Sequence, residues 1–200
     1  QLGKPATDSF AFTSRALALT LIAASPLALL LAVMGWQLQV GRQGGDLSHA
    51  VGSSLLHVAL HLYILRALRM MCIPWGLASA HFRWPESGVR LLRVELDRLT
   101  WIFVLAVLVT RLAVDLNPVE TGGTIARLGF LVYSLVLALF IYRVLHPNRG
   151  VLTHLRLRQD AALLLRTYHL WFTLLLAVPL GLAAQAMAGY IYTADALYYF

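Results

Sequence analysis

His57 and His61 stand one helical turn apart on one face, and His49 lies two turns before His57. Imidazoles at that spacing can ligate a metal ion or a haem iron. An axial haem site also needs a facing imidazole, and His169 is the deep candidate for it in a later apolar segment. The competing reading is a polar stripe turned toward a neighbouring helix. Because no second ligand motif accompanies the three residues, the sequence predicts neither cofactor nor metal. Ser53 and Ser54 lie near His57, but no carboxylate or Gly-rich elbow joins them, so a nucleophile has no complete set of partners. Phosphate loops and dinucleotide fingerprints are absent. A proton-coupled transporter needs carboxylates inside its apolar segments. Here every Asp and Glu is expected at a segment end or in a connection. Cys72 is the single cysteine and cannot form an intrachain bridge. The chemistry-bearing residues therefore predict no enzyme.

Composition says what surrounds them. Hydrophobic residues make up 60% of the 200 positions, charged residues only 12%, and the mean hydropathy is +0.73. A soluble domain carries about a quarter charged residues. No water-soluble fold of this size has interior enough for so much apolar side chain, which excludes a soluble enzyme, a disordered chain and a disulfide scaffold. The formal charge is +7, and in so apolar a chain it belongs beside lipid headgroups, not on nucleic acid. The chain starts at Gln1 and stops at Phe200 after an apolar segment, and is expected to be a piece of a longer polypeptide.

Five apolar segments must carry these residues. They are Ala16 to Met34 (extended to Val40), Val51 to Leu65, Leu99 to Thr110 with Leu112 to Val114 beyond, Leu128 to Tyr142, and Thr167 to Ala194. Runs approaching 20 apolar residues span a bilayer. Arg111 can snorkel and lengthen the third. Pro26 is expected to kink the first. The runs are continuous and Leu/Ala-rich, with no barrel alternation. The fold class expected is all-α integral membrane, with about five transmembrane helices in helical-hairpin repeats and amphipathic interfacial helices between them. Its expected division is 1–45 for the first helix and outer turn, 46–123 for a hairpin with a cytoplasmic interfacial helix, and 124–200 for a second, similar hairpin.

The connections fix orientation. Counted over alternate connections, 13 of the 16 Lys and Arg fall on one side. The positive-inside rule puts that side, and the N-terminus, in the cytoplasm. Two stretches on it look amphipathic: Glu86 to Arg98, with Val89, Leu92 and Leu96 at helical spacing, and Thr153 to Arg166. Each is expected to lie at the membrane surface. Arginines in such a place reach anionic headgroups, each contributing about 1 kcal/mol. The candidates for lipid and tension coupling are Arg66, Arg69, Arg83, Arg90, Arg93, Arg98, Arg156 and Arg158, with Trp75 and Trp84 at headgroup depth. The cytoplasmic turns repeat a Pro-Gly-His-Arg pattern. Pro74, Gly76, His81 and Arg83 correspond to Pro147, Gly150, His154 and Arg156, with Pro, His and Arg matching at a shift of 73 residues. Either an internal repeat or shared turn chemistry accounts for it. Gly181 and Gly189 sit on small-residue faces of the fifth segment, suited to close helix packing.

One stretch is more distinctive: Cys72-Ile-Pro74-Trp-Gly76-Leu77-Ala78-Ser-Ala-His81-Phe82-Arg83-Trp84. It resembles the Cys-x-Pro-x-Gly-Leu-Ala-x-x-His-Phe-x-Trp turn of large mechanosensitive channels of the MscS superfamily, the MscK and MscM type. His146-Pro147-Asn-Arg149-Gly150-Val151-Leu152 resembles that family's later cytoplasmic turn, and Gly189-Tyr190-Ile-Tyr192-Thr193-Ala194 its Gly-Tyr-x-Tyr-Thr-Ala stretch. The resemblance implies the transmembrane sensor region of a bacterial inner-membrane ion channel that opens under bilayer tension on hypo-osmotic shock. It also implies a homoheptamer, with a periplasmic region upstream and a pore helix and cytoplasmic vestibule downstream. Membrane lipids are then the expected partners. The alternatives are a haem- or metal-binding membrane subunit using His57, His61 and His169, and a passive membrane anchor.

Overall fold

A computed structural model describes residues 10–41, 45–74, 76–80, 84–116, 121–146 and 167–188. They form α1 (Phe10–Val40), α2 (Asp46–Met71), the single turn α3 (Leu77–Ala80), α4 (Glu86–Leu116), α5 (Thr121–Leu145) and α6 (Tyr168–Met187). No strand occurs among the described residues. Five helices are long and apolar enough to cross a membrane, matching the five apolar segments.

The helices hold their own polar groups. In a bilayer core there is no water to satisfy a stray hydroxyl. Thr20, Ser54, Thr100 and Thr110 each donate to the carbonyl four residues back, at 2.8, 2.8, 2.7 and 2.6 Å. Pro26 lies inside α1, and Ser25 beside it donates to Ile22 O at 2.8 Å. The helix runs unbroken through the proline.

The five long helices form a row. α1 packs on α2, α2 on α4, α4 on α5 and α5 on α6. The burial of each helix follows its place. Only 11% of the apolar window of α1 and 17% of that of α6 is buried, against 39% in α2. Among the described helices, the outermost two thus have neighbours on one side alone. Trp101, Leu105, Leu170 and Leu174 are among the large side chains left exposed on the row's faces. In water such a layer could not persist; in lipid those faces are already solvated.

One seam of side chains runs through the middle. Val58 and Leu65 of α2, Leu96, Leu99, Phe103 and Val107 of α4, and Phe130 and Tyr133 of α5 form a single buried cluster. His61 meets Phe103 at 5.4 Å, Phe103 meets Tyr133 at 5.5 Å, and Tyr133 meets Phe130 at 4.7 Å between ring centroids.

Two backbone approaches pin the row. A Cβ placed on Gly35 of α1 would lie 2.7 Å from Gly52 O, and one on Gly52 of α2 would lie 2.7 Å from Gly35 O. A Cβ on Gly129 of α5 would run into the Thr110 side chain of α4. Small residues at such points let helices gain van der Waals contact where no hydrophobic drive exists between them. Gly181, expected at a packing face, has nothing within 4 Å of its notional Cβ. Among the described residues that position meets no neighbour, since α6 packs on α5 through other residues. Gly189 lies outside the described residues.

The stretch Glu86 to Arg98 differs from expectation. It is not a separate helix on the membrane surface but the first turns of the continuous, 31-residue α4. Nothing interrupts it: Pro85 opens the helix, its carbonyl accepting from the N–H of Gly88 and Val89 at 3.0 and 3.1 Å. Val89 and Leu96 continue the buried stripe of Leu99, Phe103 and Val107. At 1.5 Å per residue α4 is about 46 Å long, beyond the roughly 30 Å hydrocarbon core, so its charged first turns reach the headgroup zone. The second amphipathic stretch, Thr153 to Arg166, lies outside the described residues.

Gly35→Ala and Gly52→Ala should each cost about 1–3 kcal/mol, the usual overpacking range. Gly181→Ala should cost nothing. Thermal unfolding of the detergent-solubilised protein checks the contrast, and equal effects at all three positions would contradict the packing described.

Candidate functional site

The charged residues gather where α2 and α5 end and α4 and α6 begin, the arginine-rich end of the row. The turn after α2 shapes it. Cys72 caps α2, its N–H donating to Arg69 O at 3.0 Å. Gly76 then folds back so closely that a Cβ there would lie 2.8 Å from Ile73 O and 3.0 Å from Met71 O. Its N–H donates to Ile73 O at 2.8 Å, and its carbonyl accepts from Ala80 N–H at 2.9 Å and Ser79 Oγ at 3.1 Å. Only glycine fits that pinch, which gives Gly76 its place in the turn. Trp84 N–H donates to Ala78 O at 3.0 Å and leads the chain into α4. Pro74 is exposed.

Ion pairs tie three helices together here. Arg69 of α2 grips Asp97 of α4 through both its Nε and, at 3.4 Å, its Nη2. Glu95 of α4 accepts from Arg98 at 2.7 Å and from Arg143 of α5 at 3.4 Å. The Glu95 side chain is 8% exposed, whereas Arg98 and Arg143 are 60% and 54% exposed. The carboxylate is buried between helices while its arginines reach outward. This corrects the expectation that every acidic residue lies at a segment end or in a connection: Glu95 and Asp97 sit within α4 and lace it to both neighbours. The i, i+3 spacing of Glu95 and Arg98 was visible in the sequence, but the partner 48 residues away was not. Tyr168 of α6 donates to Leu145 O of α5 at 3.2 Å, extending the lacing to the last helix.

The candidate arginines divide into two groups. Arg69 and Arg98 are spent on carboxylates. Arg90 is exposed and Arg93 half-buried, and neither has a carboxylate partner among the described residues. Arg66 is half-buried, with Nε buried and unpartnered. Trp84 is 37% exposed, as suits a ring at an interface. Trp75, His81, Arg83, Pro147, Gly150, Arg156 and Arg158 lie outside the described residues. Missed in the sequence were Asp97, Glu95 and Arg143, together with the contacts of Gly35, Gly52 and Gly129.

The histidines are used locally. His57 Nδ1 lies 2.9 Å from Ser53 O, and His61 Nδ1 2.7 Å from His57 O. His169 is on α6, so α4 and α5 stand between it and the α2 pair. Among the described residues no group of three His, Cys, Asp or Glu side chains is placed to hold a metal.

Comparison with known proteins gives the family. The family described as mechanosensitive ion channel inner membrane domain 1 matches residues 1–199. The chain is 26% identical over 198 residues to the miniconductance mechanosensitive channel MscM of Escherichia coli (strain K12). That match covers 98% of this chain and 17% of the relative's length. No solved structure matches the chain.

Two outcomes follow from the charges. Arg98→Ala with Arg143→Ala leaves Glu95 buried and unpaired and should cost about 3 kcal/mol, whereas Glu95→Gln, whose arginines can turn to solvent, should cost about 1 kcal/mol. Denaturant or thermal unfolding of both variants gives the order; the reverse order would mean that Glu95 is not the buried partner. Burial pushes the Cys72 thiol up, and Arg93 opposes the shift. Maleimide labelling of Cys72 should therefore be slow at neutral pH and rise only above the range of an ordinary thiol. Arg93→Gln should move that rise further up, slowing labelling at any fixed pH below it. Faster labelling in the variant would contradict this assignment.

Proposed function

The chain belongs to the mechanosensitive ion channel inner membrane domain family, and on that premise we propose that it forms the peripheral, tension-sensing helices of a channel that opens on hypo-osmotic shock. Family membership makes it a multi-pass inner-membrane region of an ion channel, not an enzyme. The finer reading is carried by the row itself. A single layer of helices meets lipid on both faces, so bilayer thinning acts on each helix directly. α1 has 31 residues, about 46 Å at 1.5 Å each, longer than a relaxed core of about 30 Å. Stretch that thins the core favours greater tilt and a larger footprint. Tension then shifts the population toward the state of larger area, with no bond chemistry.

The arginine-rich end lies in the cytoplasm in this reading, with the N-terminus. Thirteen of 16 Lys and Arg fall there, and the positive-inside rule supports that side. Arg90, Arg93 and Trp84 hold the start of α4 at headgroup depth. The channel assembles as a homo-oligomer, a heptamer by resemblance. The proposed units are 1–45, 46–123 and 124–200, although α1 packs on α2 across the first boundary and α4 on α5 across the second.

Arg90→Glu with Arg93→Glu reverses the local attraction to an anionic leaflet. In patches containing the full-length channel, the gating tension should shift at unchanged single-channel conductance. Single cysteines at positions 76 and 149 should label from the cytoplasm, and at 44 and 122 from outside, in wild type and variant alike. Outside labelling at position 149 would overturn the orientation. Altered conductance at unchanged threshold would place this segment in the ion path.

A further inference from the structure

Two cavities adjoin at the arginine-rich end. The first, about 620 Å³, lies between the turn after α2 and the start of α4 and includes Arg90 and Arg93 in its wall. The second, about 440 Å³, opens among α2, α4 and α5. Leu68, Leu92, Leu96, Phe140 and Val144 wall it, and its lining presents no polar surface. Cys72 and Trp84 belong to both walls, so the two spaces meet edge to edge.

We propose that this pair of cavities is a discrete binding site for one anionic glycerophospholipid, its phosphate held by Arg90 and Arg93 and an acyl chain lodged among α2, α4 and α5. The inference rests on the membrane setting above but goes beyond it. General attraction to a leaflet needs only exposed arginines, whereas a fixed lipid needs a charged pocket joined to an apolar one. Charge complementarity names the occupant. Asp97 and Glu95 neutralise Arg69, Arg98 and Arg143, while Arg90 and Arg93 are left without a carboxylate partner among the described residues. Glu86 also borders the first cavity, so one acidic group faces two guanidinium groups and the balance still favours an anion. A free phosphate or a soluble headgroup would use the first cavity alone and leave the apolar one unfilled. Water there would find no hydrogen-bonding partner in the wall, and an acyl chain would bury the apolar surface that α2 and α5 leave uncovered beside α4.

Retained lipid in the full-length protein tests the site. The protein is purified in detergent containing equal phosphatidylglycerol and phosphatidylcholine, washed extensively, and its lipid quantified by mass spectrometry. Wild type should keep about one phosphatidylglycerol per chain beyond what phosphatidylcholine occupies. Arg90→Gln with Arg93→Gln should lower that preference on the order of tenfold. Leu68→Trp replaces an exposed side chain and fills the apolar cavity; it should abolish retention of either lipid. Helical circular dichroism and a single elution peak confirm folding of each variant. Wild-type retention in both variants would overturn the proposal. So would displacement of the retained lipid by glycerol 3-phosphate, which would make this a site for soluble phosphate. Because no tension is applied, a channel that keeps its lipid yet ignores stretch would overturn the tension-sensing reading alone.

Discussion

Helices in lipid gain nothing from hiding apolar side chains against one another, because the acyl chains are as apolar as leucine. Whatever holds this row together must come from close backbone contact, from polar links, or from both. Both occur, at opposite ends. Gly35 against Gly52 and Gly129 against Thr110 bring α1 to α2 and α4 to α5 at the end away from the arginines. Arg69 with Asp97, and Arg143 and Arg98 with Glu95, lace α2, α4 and α5 at the arginine-rich end. The paired charges sit in the third and fourth turns of α4, toward its arginine-rich end and away from its middle, where desolvation would penalise them most.

The two kinds of link differ in stiffness. A glycine contact is set by backbone atoms and leaves no room to shift. An ion pair between long side chains, partly exposed, tolerates movement of its helices. The cavities lie at the same end as the side-chain links, one between the turn after α2 and the start of α4, the other among α2, α4 and α5. On this basis we propose that the row is firmer at the glycine contacts and more adaptable at the arginine-rich end. The proposed sensing role calls for the adaptable part there, and a single layer leaves each of the described long helices within reach of lipid.

Much of this was legible in the chain. Continuous apolar runs of bilayer length fix five helices, and the lopsided arginine count tells the two ends of the row apart. The distinctive turn around Pro74 and Gly76 carried the family. Helix boundaries were less legible. Leu99 looked like the start of a span because charge stops just before it, yet hydrogen bonding in α4 does not stop where charge does. Long-range pairing was illegible for a similar reason. Glu95 reads as one more charge on an amphipathic face until α5 places Arg143 beside it. The glycines misled in both directions. Gly181 sits in a conspicuous small-residue pattern and meets nothing among the described residues, while Gly35, in leucine-rich sequence, and Gly52, beside two serines, carry the closest backbone-to-backbone approach. Periodicity says which residues share a face, but not which face finds a neighbour.

The central claim is that the row responds to the bilayer by moving its arginine-rich end about a firm opposite end. Pulsed dipolar spectroscopy between spin labels on the full-length protein tests this most directly, in bilayers of long and short acyl chains. One pair spans α2 and α4 at the arginine-rich end; the other spans α1 and α2 near Gly35 and Gly52. The account predicts that the first distance changes with bilayer thickness while the second stays fixed. A constant first distance, or a change at the glycine contact equal to that at the ion pairs, would contradict it.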